Sequence, residues 1–185
     1  IKRKSMLSYK DSLKILKETN ALLEGHFILS SGLHSDKYVQ CAQLLSKPEK
    51  AKEICSSLAE KIKSNYGKVD LILSPAIGGI VIGYEIGRIL NTETIFAERI
   101  NKDFNLRRGF KIKNGQKILI VEDVITTGKS SLECSTLAKK EGGKIMGYAC
   151  IIDRSNGKSN INDKIVSQVK IEIPTYKKED IPEHL

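Results

Sequence analysis

The stretch ILIVEDVITTGKS, Ile118–Ser130, decides how the rest of the chain is read. Ile118 to Val121 form an apolar run of the kind found in strands buried on both faces, and Glu122–Asp123 close it. Thr126, Thr127, Gly128, Lys129 and Ser130 make a polar turn leading into a helix expected from about Ser130 to Glu141, stopped by Gly142–Gly143. The ending Gly-Lys-Ser resembles a nucleoside-triphosphate loop. That pattern, GxxxxGK[ST], requires a glycine where this chain has Asp123, and an aspartate there brings a carboxylate toward the polyphosphate.

A different chemistry fits better. Adjacent strand residues face opposite sides, so Glu122 and Asp123 need not share one role. Carboxylates accept hydrogen bonds, and a vicinal diol such as the ribose 2′- and 3′-hydroxyls offers two donors. A helix start presents unpaired backbone N–H groups, here with hydroxyls beside them, which suits a single phosphate. Together these residues read as a cradle for ribose 5-phosphate. An ordinary capped helix after a strand accounts for the threonines and serine, but not for the paired acids directly before them.

Outward from this stretch, helices and apolar strands alternate. Residues 8–24 carry leucines close to one stripe and predict a helix. GHFILSSGLHSDKYVQC breaks into short pieces: a strand, a turn at Ser30–Gly32, and a strand near Lys37–Cys41. Pro48 suits the first turn of a helix over roughly 48–64. Val69 to Leu73 predicts a buried strand, AIGGIVIGYEIGRIL a glycine turn and an apolar helix, and TIFAERI another strand. NKDFNLRRGFKIKNG is charged and poorly periodic, a loop or long hairpin, and KIMGYACIIDR is the strand after the expected 130–141 helix. The closing VKIEIPTYKKEDIPEHL suggests a short strand and a turn. Such alternation means α/β, with a parallel sheet covered on both faces, and ligands gather at the carboxyl ends of its strands. Ser74, Glu98–Arg99, Glu122–Asp123 and Asp153–Arg154 fall at those ends.

Composition narrows the classes. The 185 residues allow one domain with a real core, and no repeat or linker divides them. No stretch approaches the roughly 20 apolar residues of a membrane-spanning helix. The basic start, IKRKSMLSYK, has no apolar run behind it and reads as a tail rather than a secretory signal. Cys41, Cys55, Cys134 and Cys150 are too widely spaced for a zinc site and suit free thiols in a reducing cytosol. The net charge of +9 suits nucleic acid or anionic small molecules without choosing between them.

Ile118–Ser130 resembles the phosphoribosyl-pyrophosphate signature of the type I phosphoribosyltransferases: a hydrophobic strand, two acids, two hydrophobics, then a small-residue turn. The similarity runs from LLEGHFILSSGLHSDKYVQC to IIDR and is strongest to the members that use orotate. It implies the type I phosphoribosyltransferase fold, a single domain over 1–185 with a central parallel sheet flanked by helices. Residues 8–45 would contribute a small hood, and 66–155 the sheet core. It implies transfer of the phosphoribosyl group of phosphoribosyl pyrophosphate to orotate, in pyrimidine synthesis. A purine-base transferase and a nucleic-acid-binding regulator on the same fold are the alternatives; nucleic acid is not the expected partner.

The resemblance also implies residue roles. Glu122, Asp123, Val124, Ile125, Thr126, Thr127, Gly128, Lys129 and Ser130 would bind the phosphoribosyl donor. Ala76, Gly78 and Gly79, in SPAIGGI, would hold its pyrophosphate. Thr126 and Arg154 would bind orotate, Arg154 offering a planar guanidinium to a planar carboxylate. Arg99 and Lys102 in the loop near 99–110 would act in catalysis with Asp123, helped by Arg107 or Arg108. That loop would be shared across a homodimer interface. The cofactor would be Mg²⁺, held mainly by substrate rather than by protein ligands, and the location cytoplasmic. Relatives carry lysine at the positions of Gly78, Ile100 and, in some, Ser30; His34 and Lys37 are placed to compensate for Ser30.

Overall fold

The computed structural model describes residues 6–185; residues 1–5, part of the expected tail, lie outside it. In chain order the elements are α1 (Tyr9–Glu18), β1 (Leu22–Ile28), β2 (His34–Val39), α2 (Cys41–Leu45), α3 (Pro48–Tyr66), β3 (Leu71–Pro75), α4 (Gly78–Leu90), β4 (Glu93–Ile100), β5 (Asp103–Leu106), β6 (Lys117–Ile125), α5 (Lys129–Lys140), β7 (Lys144–Asp153) and β8 (Ile165–Lys170). A 3₁₀ turn, Lys178–Asp180, follows.

The six-stranded sheet has the order β5-β4-β3-β6-β7-β8. All its pairings are parallel except β4–β5, a hairpin that places β5 antiparallel at one edge. This is the central, mostly parallel sheet the alternation predicts. Strands β1 and β2 form a separate antiparallel hairpin.

Period-two alternation sorts the sheet's residues between two cores. Ile72, Leu119, Val121, Ala149 and Ile151 face the layer of α1, α2, α3 and α4. Leu71, Leu73, Ile118, Ile120, Tyr148 and Cys150 face α5 and the segment around Phe104 and Ile112. Helix α4 comes unusually close to its strands. A Cβ added to Gly83 or Gly87 would overlap the Ser74 or Thr94 hydroxyl, so only glycine permits this approach. All four cysteines are free and buried.

Some boundaries differ from the sequence reading. The helix expected over 8–24 ends at Glu18, and Leu22–Leu23 begin β1. The chain reverses because Asn20 takes a left-handed φ of 62° and the Ala21 N–H returns to the Leu16 carbonyl at 2.9 Å. The strand expected at Val69–Leu73 lies at Leu71–Pro75, because the Asp70 carboxylate caps the Lys117 N–H of the neighbouring strand at 2.9 Å. Helix α2 interrupts a stretch read as the end of a strand. The last strand is Ile165–Lys170, earlier than VKIEI, because its partner β7 fixes the register from Tyr148↔Ile165 onward.

Candidate active site at the switch point of the sheet

Strands β3 and β6 are neighbours, but the connections diverge: α4 leads away to β4 on one side and α5 to β7 on the other. Such a switch point opens a crevice at the carboxyl ends of the strands. Both anion-binding candidates fall there. After β3 the chain turns through Ala76–Ile77, a cis peptide, into α4 at Gly78. Gly78 abuts Asp123: a Cβ placed on it would lie 3.1 Å from Asp123 Oδ2. The pyrophosphate-loop candidate and the ribose candidate are therefore in contact.

Strand β6 runs past the acids to Ile125, so Glu122 and Asp123 sit within the strand rather than ending it. Their side chains separate to the two faces. Asp123 points to the α4 side and accepts the Val124 N–H at 2.8 Å. Glu122 points to the α5 side, where it accepts the hydroxyl of Ser131, a fully buried residue in the first turn of that helix. Burial raises the Glu122 carboxyl to about 7; the Ser131 bond opposes this, and the neighbouring Asp123 charge adds to it. Burial also raises Asp123, against the hydrogen bond from Val124.

The phosphate-turn candidate is held from outside. The loop after β7 donates twice to it: Arg154 N–H to the Ile125 carbonyl at 2.9 Å, and Asn160 N–H to the Thr127 carbonyl at 2.8 Å. These bonds bracket Thr126, whose side chain is exposed. Ile161 lies over Gly128, which has φ 81°, and a Cβ there would come within 2.7 Å of Ile161. Gly128 is the N-cap of α5, so the N–H groups of that helix's first turn open at the turn.

The candidate cations divide into two groups. Arg99 lies against the phosphate turn: its guanidinium donates to Glu133 Oε2 at 2.6 Å and to the Lys102 carbonyl at 2.7 Å, with Ser130 Oγ at 3.4 Å. It stacks 4.1 Å from the centre of the Phe104 ring. Lys102 stands exposed at the tip of the β4–β5 hairpin with φ 76° and no ion pair among the described residues. Arg108 is occupied elsewhere by a two-pronged pair with Glu98 at 2.8 and 2.9 Å, which leaves Arg107 as the more available of the two.

Arg154 follows β7 at the same end of the sheet. Its Nε is buried and has no partner among the described residues. Burial also lowers the guanidinium's pKa, so this group gains from an anionic acceptor. In the β1–β2 hairpin, His34 Nδ1 and His26 Nε2 share a hydrogen bond at 2.6 Å, and Lys37 contacts Asp36 at 3.4 Å. Both residues expected to compensate for Ser30 thus already have partners.

Sequence reading missed Ser131, Glu133, Asn160 and Ile161. Ser131 lies one residue past the recognised signature and Glu133 three past it. Asn160 and Ile161 sit in a polar loop whose sequence carries no signal for its contact with the turn.

Two candidate anion-binding turns meeting at the switch point of a parallel sheet suit an enzyme that handles a phosphorylated sugar. The phosphoribosyl transferase domain family matches residues 41–184, and the chain belongs to that family. An orotate phosphoribosyltransferase of Caulobacter vibrioides (strain NA1000 / CB15N) is 43% identical over 175 residues, covering 95% of this chain and 90% of the relative. Among solved structures, an orotate phosphoribosyltransferase from Aeropyrum pernix superposes with a TM-score of 0.75 at 22% identity, over 85% of this chain and 92% of that one. An adenine phosphoribosyltransferase from Thermoanaerobacter pseudethanolicus gives 0.63 at 18% identity, over 73% and 88%. The last two share the fold.

Proposed function

We infer that the protein transfers the 5-phosphoribosyl group from phosphoribosyl pyrophosphate to orotate, giving orotidine 5′-phosphate and pyrophosphate in pyrimidine synthesis. The observation that carries this is the convergence at one switch point of the acid pair, the phosphate turn and the unpaired Arg154 Nε. The 43% identity to an orotate enzyme selects orotate over adenine, which the same fold also serves.

The Thr126–Ser130 turn and the α5 start receive the 5-phosphate. Glu122 and Asp123, on opposite faces of β6, accept the ribose hydroxyls. Ala76, Gly78 and Gly79 offer backbone to the pyrophosphate, and Arg99 and Lys102 balance the charge that grows on it as it leaves. Arg154 and Thr126 orient orotate so that its ring nitrogen attacks the anomeric carbon. The protein need form no covalent bond; placement and charge stabilisation supply the rate.

Mg²⁺ is the expected cofactor, and the residues present fit a cation carried by the substrate. Glu122 and Asp123 face opposite sides, and no group of three or more His, Cys, Asp or Glu gathers among the described residues. Diphosphate and diol oxygens are the hard donors such an ion prefers. When bound, it neutralises charge on the leaving pyrophosphate.

We further read the chain as one domain with the β1–β2 hairpin as hood, working as a cytoplasmic homodimer. Four unpaired cysteines favour a reducing compartment, and no helix among the described residues is long and apolar enough to cross a membrane. For the dimer, Ile77, Val81 and Tyr84 form an exposed apolar stripe at helical spacing along α4, which packs on β4, with Ile77 86% and Tyr84 68% exposed. A second copy covering this stripe would bring the 99–110 segment to the boundary between subunits.

The direct test is consumption of orotate with phosphoribosyl pyrophosphate and Mg²⁺, beside adenine, hypoxanthine and uracil. Orotate alone should be used. Use of adenine in its place would move the assignment to the purine enzymes.

A further inference from the structure

Resting on that reading of the sugar site, we propose that Ser131 is a positioning residue for phosphoribosyl-pyrophosphate binding: its hydroxyl fixes the Glu122 carboxylate against the first turn of α5. Glu122 leaves the sheet on the α5 side, away from Asp123 and Gly78. On that side the residue is half-buried, with Cys134 of α5 and Cys150 of β7 near it. A carboxylate in such surroundings needs a donor to hold its orientation. Ser131 supplies it: one carboxylate oxygen, Oε2, accepts the hydroxyl, and Oε1 is left for a sugar hydroxyl.

The location of Ser131 gives the bond its consequence. Gly128 caps the same helix turn, whose backbone N–H groups would take the 5-phosphate. One side-chain bond therefore ties the acceptor for the ribose hydroxyl to the element that takes the 5-phosphate. The spacing between these two grips must fall within the range that O2′/O3′ and the 5′-phosphorus of a single sugar can span. Ser131 is 0% exposed and so touches no substrate itself; its effect passes through Glu122.

A double-mutant cycle tests this. Affinity for phosphoribosyl pyrophosphate with Mg²⁺ is measured by titration calorimetry for the unsubstituted protein, Ser131→Ala, Glu122→Ala and the pair, each first shown to melt cooperatively. Loss of a hydrogen bond to a charged group predicts about tenfold weaker binding, or more, for Ser131→Ala. In the Glu122→Ala background the serine substitution should have no further effect. If Ser131→Ala binds like the unsubstituted protein, or weakens binding equally with and without Glu122, the proposal is wrong. If Glu122→Ala itself binds normally, the reading of the sugar site fails instead. Should Glu122→Ala not fold, Glu122→Gln takes its place. The weaker amide acceptor should then shrink the Ser131→Ala loss, and an undiminished loss overturns the proposal.

Discussion

Replacing Glu122 with glutamine should make the protein more stable, and increasingly so as pH rises. Glu122 titrates near 4.5 in an unfolded chain and at about 7 in the fold, raised chiefly by burial beneath α5. Between these values the folded protein holds a proton that the unfolded chain has released. Stability is therefore greatest below about pH 4.5, declines as pH rises through the window, and levels off above about 7. The full displacement corresponds to about 3 kcal/mol, an upper figure because the carboxyl is not wholly buried. Most of that, about 2–3 kcal/mol, falls between about pH 5 and pH 8. Glutamine keeps the shape and an oxygen for the Ser131 hydroxyl but does not titrate. Urea denaturation of both proteins across this range, without substrate, should show Glu122→Gln gaining on its parent by that amount as pH rises. A difference independent of pH would falsify the burial argument. The same titration has a functional counterpart: affinity for phosphoribosyl pyrophosphate should fall below about pH 7, where Glu122 gains a proton and accepts sugar hydroxyls less well.

Arg154→Ala should abolish orotate use while leaving phosphoribosyl-pyrophosphate affinity within about twofold, because the guanidinium lies at the end of β7 rather than in the phosphate turn; steady-state kinetics with each substrate varied would show it. Gly128→Ala should cost about 2 kcal/mol or more in urea denaturation and sharply weaken donor binding, since φ 81° disfavours alanine and the new methyl meets Ile161. Glu133→Ala should lower kcat several-fold with little change in the KM for orotate, because Arg99 loses the contact that holds it beside Ser130. Tyr84→Asp, on the exposed α4 stripe, should shift the protein from dimer to monomer in size-exclusion chromatography and reduce activity with it.

Ile118–Val121, Glu122–Asp123 and the turn to Ser130 were legible in sequence because strand period, apolar runs and helix-start chemistry are local properties. The same locality made the opposite facing of the two acids readable, since successive strand residues alternate whatever lies around them. The parallel sheet followed from alternating elements. The end of α1 did not: its leucine stripe runs on into residues that Asn20 and the pairing of β1 with β2 draw into a hairpin. Only the folded chain could decide that Gly78 rests against Asp123, that Ser131 holds Glu122, that Glu133 takes Arg99 and that Ile161 sits on Gly128. Each of these depends on the order of strands in the sheet and the depth at which a helix packs. Those are set by burial summed over two cores, and no short stretch of sequence carries that sum.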